Sequence, residues 1–147
     1  MTAEPDISVF RPSRPGIRKV LGDLEAEIME LVWARSAGEG TTVRDVFEAL
    51  YRRRRIAYTT VMSTMARLAR KNLLRADKHG QAYVYYPKFT AEEFASRVVG
   101  RMLENLLVGF AGTTIEGLKA IHDPKVAERA RQWLDEIARR RRVEERQ

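Results

Sequence analysis

The chain has 147 residues with 27 Lys+Arg against 20 Asp+Glu, a net charge of +7, and no cysteine. The absence of cysteine excludes disulfides, thiolate metal sites and thiol redox chemistry, and no apolar run approaches the roughly 18 residues of a membrane-spanning helix. The basic excess favours a polyanionic partner, and the N-terminus lacks the apolar core of a secretory signal, so we expect a cytoplasmic protein.

The first half of the chain predicts an arm followed by short helices. Residues 1–20 contain three prolines and no apolar period, which predicts a flexible basic arm. From Leu21 to about Arg35, apolar residues recur at three- and four-residue steps, as in an amphipathic helix. Thr42, with Asp45 three residues on, predicts the N-cap of a second helix that ends in Arg52–Arg55.

A third helix and a hairpin follow. Over Tyr58 to Lys71, four residues form one inward stripe: Val61, Thr64, Met65 and Leu68. Asn72 is a plausible left-handed terminator of this helix. Period-two segments 73–78 and 81–86 flank His79-Gly80, which predicts a β-hairpin that Pro87 ends.

Apolar residues return to a helical period after Pro87, with a break at Gly109 and Gly112 and a last helix from Pro124. The stripe is too wide to leave in water, since burial of each such side chain is worth about 1.5–3 kcal/mol. One alternative is a closed monomer, in which the last helix covers part of the stripe with Trp133, Leu134 and Ile137. We instead expect a homodimer held by Phe94, Val98, Met102, Leu103, Leu106, Leu107, Trp133 and Leu134.

The charge is concentrated in one segment. Residues 21–50 carry a net charge of −5, whereas residues 51–90 carry +9. Three helices followed by a hairpin is the order of a winged helix-turn-helix, so the positive segment covers its third helix and its wing. We predict a mainly α protein with a small β-hairpin (an α+β fold): a winged-helix DNA-binding domain over 21–88 and a helical dimerisation region over 89–147.

The outward face of the third helix supplies the candidate recognition residues. Opposite the inward stripe lie Thr59, Met62, Ser63, Ala66 and Arg70, and Thr60 and Arg67 flank this face. Small side chains let a helix enter the major groove deeply. Arg67 is the best candidate for bidentate recognition of guanine, or else for clamping a phosphate. The alternative is that the hydroxyls form an ordinary solvated face.

Contacts to the DNA backbone are predicted for Arg53, Arg55, Arg70, Lys71 and Lys78. Packing of the wing is the better interpretation of its tyrosines than a stacking platform for single strands.

His79 and His122 have no partners at metal-ligand spacing, so we predict no metal and no cofactor. No catalytic motif is present, which argues against an enzyme. An alternative function is a basic module that binds nucleic acid or an anionic membrane surface without operator specificity.

Several segments in order carry a family resemblance: Leu21 to Trp33, Thr42 to Val46, Ala57 to Met62 with Arg67, Leu68 and Lys71, and Gly80 to Tyr83 leading to Tyr86-Pro87. Together they closely resemble the penicillinase-repressor family, over about residues 20–90 and by pattern only over 91–142. The resemblance implies a dimeric winged-helix repressor of a palindromic DNA operator. Carried over by position, the resemblance implies that the recognition helix faces DNA with Thr59, Thr60, Met62, Ser63 and Arg67, which is nearly the set found on its outward face. It also implies wing contacts around Lys78 to Gln81, and these include His79.

The chain departs from that family at two inducer-related features. Members induced by proteolysis carry an Asn-Phe bond in the dimerisation region, whereas the local asparagine here is Asn105, followed by Leu106. Copper-responsive relatives carry a C-terminal cysteine cluster, and this chain has no cysteine. The inducer stays open between a protease, a small ligand and a partner protein.

Overall fold

A computed structural model describes residues 4–36 and 38–145, apart from several side chains beyond residue 110. A short 3-10 turn, Gly16–Lys19, precedes the helices. The helices are α1 Asp23–Ala34, α2 Val43–Tyr51, α3 Tyr58–Arg70, α4 Ala91–Lys119 and α5 Pro124–Glu145. The strands are β1 Thr41–Thr42, β2 Leu74–His79 and β3 Ala82–Pro87.

The order of helices and strands confirms the predicted winged-helix α+β fold. The sheet has one strand more than predicted. Its antiparallel order is β1-β3-β2, with Thr41 opposite Tyr85 and Thr42 opposite Val84. The two-residue strand β1 lies directly before α2 and therefore ties the start of that helix to the wing.

The turn of the hairpin lies one residue later than predicted. His79 pairs with Ala82, so the connecting residues are Gly80 and Gln81 rather than His79 and Gly80. Gly80 has a φ of 66°, the left-handed conformation that a primed two-residue turn requires at its first position. The glycine therefore sets the register, and His79 extends β2.

Two predicted helix ends are confirmed. The Thr42 hydroxyl accepts a hydrogen bond from the Asp45 N–H at 3.1 Å, and the Asp45 carboxylate accepts one from the Thr42 N–H at 2.9 Å. This reciprocal capping satisfies two backbone donors that the start of α2 would otherwise leave unpaired. Beyond the end of α3, Asn72 adopts a φ of 64°, the left-handed conformation predicted for it.

The hydrophobic core of the winged helix includes the start of α4. Phe94 and Val98 are buried there. The ring of Trp33 lies 5.7 Å from that of Phe94, and its indole N–H donates to the Phe89 carbonyl at 2.9 Å. This corrects the predicted dimerisation set, because Phe94 and Val98 are already covered within their own chain.

Residues 4–6, part of the predicted flexible arm, contact the winged helix. Pro5 is buried, and the Asp6 N–H donates to the carbonyl of Lys71 at 2.8 Å. The side-chain amide of Asn72 donates to the Glu4 carbonyl at 3.3 Å. Proline lacks a donor and breaks periodicity, which explains why the sequence pattern concealed an ordered segment.

The chain divides into two compact units after Gly100. In the second unit, α4 is interrupted at Phe110, whose φ of −140° and ψ of 49° are not helical. This lies between the two glycines at which a break was predicted. Within the described ranges, no helix is long and apolar enough to cross a membrane.

Candidate nucleic-acid interface

Helix α3 is held with one face inward. Its buried residues are Val61, Thr64, Met65 and Leu68, the stripe predicted from the sequence. The helix packs against α1, α2 and β2. The hydroxyl of Thr64 donates to the Thr60 carbonyl at 2.7 Å. This hydrogen bond satisfies the one polar side chain of the buried stripe.

All the predicted recognition residues lie on the exposed side of α3: Thr59, Thr60, Met62, Ser63 and Arg67. Met62 is 46% exposed despite its apolar side chain. The Ser63 hydroxyl donates to the Thr60 carbonyl at 3.1 Å, so its oxygen is available to accept a hydrogen bond from outside. A face of short hydroxyls with one apolar tip matches what base edges and phosphates accept.

The first two N–H groups of α3 add to this face. The N-cap residue Ala57 makes no side-chain cap, and the first N–H bonds within the helix come from Thr60 and Val61 to the Ala57 carbonyl. The donors of Tyr58 and Thr59 therefore point out of the helix at its positive end. Phosphate oxygens are favoured at such an end.

The four arginines that follow α2 differ in whether they form an ion pair. Arg54 forms an ion pair with Glu27 of α1 at 3.1 Å. Among the residues that the structure describes, Arg52, Arg53 and Arg55 form no ion pair and are exposed. Arg53 and Arg55, predicted as backbone contacts, thus keep their charge available, whereas Arg54 ties the turn to the domain.

Two further predicted cations are also free of carboxylates within the described ranges. They are Arg70 at the end of α3 and Lys78 in β2, both exposed. The wing residues His79 and Gln81 are exposed as well. In contrast, Arg75 pairs with Asp77 at 3.1 Å and lies over the Tyr86 ring, 4.9 Å from its centroid, so its charge is already engaged.

Lys71 differs from its predicted role as a phosphate contact. Its side chain is only 18% exposed, and its ammonium lies 3.1 Å from Oε2 of Glu25 in α1. The same carboxylate oxygen lies 3.5 Å from Nε of Arg67. Glu25 is a residue that sequence analysis missed, although its place between Leu21 and Ile28 on the apolar stripe of α1 was a signal that it would be buried.

The acidic segment forms no free negative face. Every carboxylate of residues 21–50 lies in an ion pair: Asp23, Glu25, Glu27, Glu30, Glu39, Asp45 and Glu48. Several partners come from outside that segment, among them Arg14, Arg18 and Arg54. The negative charge of α1 and α2 is therefore largely neutralised locally, and the uncompensated positive charge surrounds α3 and the wing.

The wing tyrosines of β3 differ in burial. Tyr85 is buried, and this burial raises the pKa of its phenol above the usual value. Tyr83 is exposed, and Tyr86 is half-buried beneath Arg75. Tyr83 and Tyr85 share one face of β3, but only Tyr83 is accessible, so they form no continuous stacking platform. This favours the packing interpretation.

The remaining predicted residues belong to the second unit. Met102 and Leu103 are half-buried, and Leu106 and Leu107 are exposed. Trp133 and Leu134 lie in α5, and their side chains are outside the described residues. Within the described ranges, no three His, Cys, Asp or Glu residues come together as a metal site would require.

Comparison with known families decides what kind of winged helix this is. The model of the penicillinase repressor family matches residues 21–137. The chain belongs to the penicillinase repressor family. Members of this family are transcriptional repressors rather than enzymes, and the match covers all the helices and strands from α1 into α5.

Two curated relatives of this family member come from Mycobacterium tuberculosis, strains CDC 1551 / Oshkosh and ATCC 25618 / H37Rv. Each is described as the transcriptional regulator BlaI and is 44% identical over 86 residues. The aligned region covers 58% of this chain and 59% of each relative. The chain therefore spans somewhat over half the length of the curated relatives it matches.

Proposed function

We propose that this chain is a transcriptional repressor that binds double-stranded DNA sequence-specifically, as a homodimer on a palindromic operator. The observation that carries the proposal is the placement of uncompensated charge around the exposed face of α3. Arg53, Arg55, Arg70 and Lys78 are exposed without carboxylate partners among the described residues, while the nearby acids are paired. Membership of a repressor family supports the same conclusion.

The proposed binding mode assigns distinct work to distinct groups. The exposed face of α3 enters the major groove, where Ser63 and the threonines contact base edges or phosphates and Met62 contacts a thymine methyl. The free arginines and Lys78 neutralise phosphates on either side. A two-fold dimer presents two such helices, so half-sites lie a whole number of DNA turns apart, in steps of about 10–10.5 base pairs.

The decisive experiment compares two arginines on one duplex, enriched by the wild-type protein from a random-sequence pool. Arg67→Ala should weaken binding by about 1–3 kcal/mol and relax the preference at one position per half-site, because a base-edge contact is lost. Titration by fluorescence anisotropy, repeated with each base substituted, measures both effects.

Arg53→Ala is the matched control. It should weaken binding to all duplexes alike and reduce the slope of log affinity against log salt by about one unit, because only a phosphate contact is lost. If Arg67→Ala left both affinity and base preference unchanged, α3 would not be the reading helix. Parallel titration with anionic vesicles tests the surface-binding alternative, which predicts vesicle binding as strong as duplex binding.

A further inference from the structure

Glu25 is a nearly buried carboxylate directed at the candidate recognition helix. It belongs to the first turn of α1 and is 7% exposed. Its Oε1 accepts the Gly22 N–H at 3.0 Å. Its Oε2 faces two cations, Nε of Arg67 in the last turn of α3 at 3.5 Å and the ammonium of Lys71, the residue that follows α3, at 3.1 Å.

Lys71 and Arg67 differ in how many donor groups remain accessible to a DNA partner. Lys71 is a point charge that is largely enclosed, so the contact with Glu25 occupies it. Arg67 faces Glu25 through Nε, and its side chain is 52% exposed. The two terminal nitrogens of a guanidinium form a second donor edge, distinct from Nε, which can bind guanine O6 and N7 together.

Anchoring at Nε also addresses the flexibility of arginine. An unanchored arginine has many rotamers and loses that freedom when it binds a base. A carboxylate fixed by a backbone N–H and a lysine restricts the guanidinium before DNA arrives, and such preorganisation increases affinity without any new contact. A guanidinium held in one orientation also binds best to the base whose acceptors match that orientation, so preorganisation increases specificity as well as affinity.

We propose that Glu25 is a positioning residue for Arg67 and thereby a determinant of sequence specificity that itself touches no DNA. This inference rests on the proposed function, since it needs Arg67 to read a base. It assigns a role in recognition to α1, a helix to which the sequence analysis gave none.

The test is a double-mutant cycle on the pool-enriched duplex, its base-substituted versions and a duplex of unrelated sequence. Glu25→Gln keeps the shape and the acceptor for Gly22 but removes the charge that holds Arg67. Alone it should reduce the preference at the base pair read by Arg67 by about tenfold and leave the unrelated duplex unaffected. In an Arg67→Ala background it should change the preference no further.

A purely structural role predicts a different pattern. Glu25→Gln would then weaken both duplexes equally, or by the same factor with and without Arg67, and either result would overturn the inference. Glu30→Gln, also in α1 and also ion-paired, is the matched control and should leave base preference unchanged. Thermal denaturation of each variant separates loss of folding from loss of specificity.

A measurement on the wild-type protein does not depend on a variant that folds. In ¹⁵N relaxation measurements on the free protein, Nε of Arg67 should be more restricted in its motion than Nε of the exposed Arg53, because the Glu25 carboxylate lies 3.5 Å from it. Equal mobility of the two side chains would contradict the anchoring. A wild-type protein that enriches no sequence from the pool would overturn the proposed function together with this inference. A protein that enriches a sequence but shows no coupling between Glu25 and Arg67 would overturn this inference alone.

Discussion

Burial and ionic partners have opposite effects on the pKa of the Glu25 carboxyl. Desolvation raises the pKa of this carboxyl, but the Gly22 N–H, the Lys71 ammonium and the Arg67 guanidinium together hold the pKa below its ordinary value of 4.5. In the unfolded chain these partners are lost. Protonation therefore begins at higher pH in the unfolded state than in the folded state, and acid favours unfolding.

The pH dependence of stability follows from this sign. The contribution of Glu25 should be fully present above its ordinary pKa of 4.5 and should disappear as the pH falls through the lower folded pKa. Urea denaturation of the wild type and of Glu25→Gln from pH 6 to pH 3 measures it as the difference in unfolding free energy. Asp23 and Asp45 also have lowered pKa values, but both proteins share them. A difference that stayed constant through the acid range would contradict the assigned contacts.

Single residues also mark the limit of what the sequence could predict. The exposed face of α3 followed from periodicity, because one buried stripe fixes the opposite surface of a helix. The ion pairs of Glu25, Glu27 and Arg54 did not, since they join residues distant in sequence. The charge of each segment therefore predicted where cations are abundant. It did not predict which of those cations are neutralised by a carboxylate and which are not.

Strand β1 shows the same limit for a secondary-structure element. Two threonines carry no period, and β1 exists only because β3, about 40 residues later, offers its edge. The backbone at Gly40 approaches β3 so closely that a Cβ there would overlap a Val84 methyl group and crowd the Tyr86 ring. A glycine requirement of this kind becomes visible only after the strands have paired.

Gly40→Ala should therefore destabilise the winged helix by about 1–3 kcal/mol, because β1 must move away from β3 or Val84 must leave its place. Chemical denaturation measures the loss. Gly100→Ala is the control: nothing lies within 4 Å of the added carbon, and the position is inside α4. There alanine should raise stability by up to about 1 kcal/mol. Equal effects of the two substitutions would mean that Gly40 is not in close contact with β3.

At the scale of the whole molecule, the apolar surface of α4 changes character along its length. Phe94 and Val98 complete the core of the first unit, whereas Leu106, Leu107 and Phe110 are exposed. The periodicity of the sequence was continuous through both parts, because a stripe has the same spacing whether its own chain or another covers it. A second copy of the chain is the occupant that the proposed function requires.

Leu106→Glu with Leu107→Glu should shift the protein from dimer to monomer in sedimentation velocity, because each charge would be buried without a partner in the interface. The monomer should also bind the operator more weakly, because it loses the gain in affinity that comes from binding two half-sites at once. Asn105→Glu adds one negative charge at an exposed neighbour that is not part of the apolar stripe and should leave the dimer intact. A double variant that still sedimented as a dimer would place the interface elsewhere.

The tie between Trp33 and the start of α4 has a spectroscopic consequence. The chain contains two tryptophans, Trp33 in the first unit and Trp133 in the second. The hydrogen bond to the Phe89 carbonyl and the neighbouring Phe94 ring make the fluorescence of Trp33 sensitive to the packing of the winged helix itself. Replacing Trp133 with phenylalanine therefore leaves the Trp33 indole as an intrinsic optical probe of the first unit.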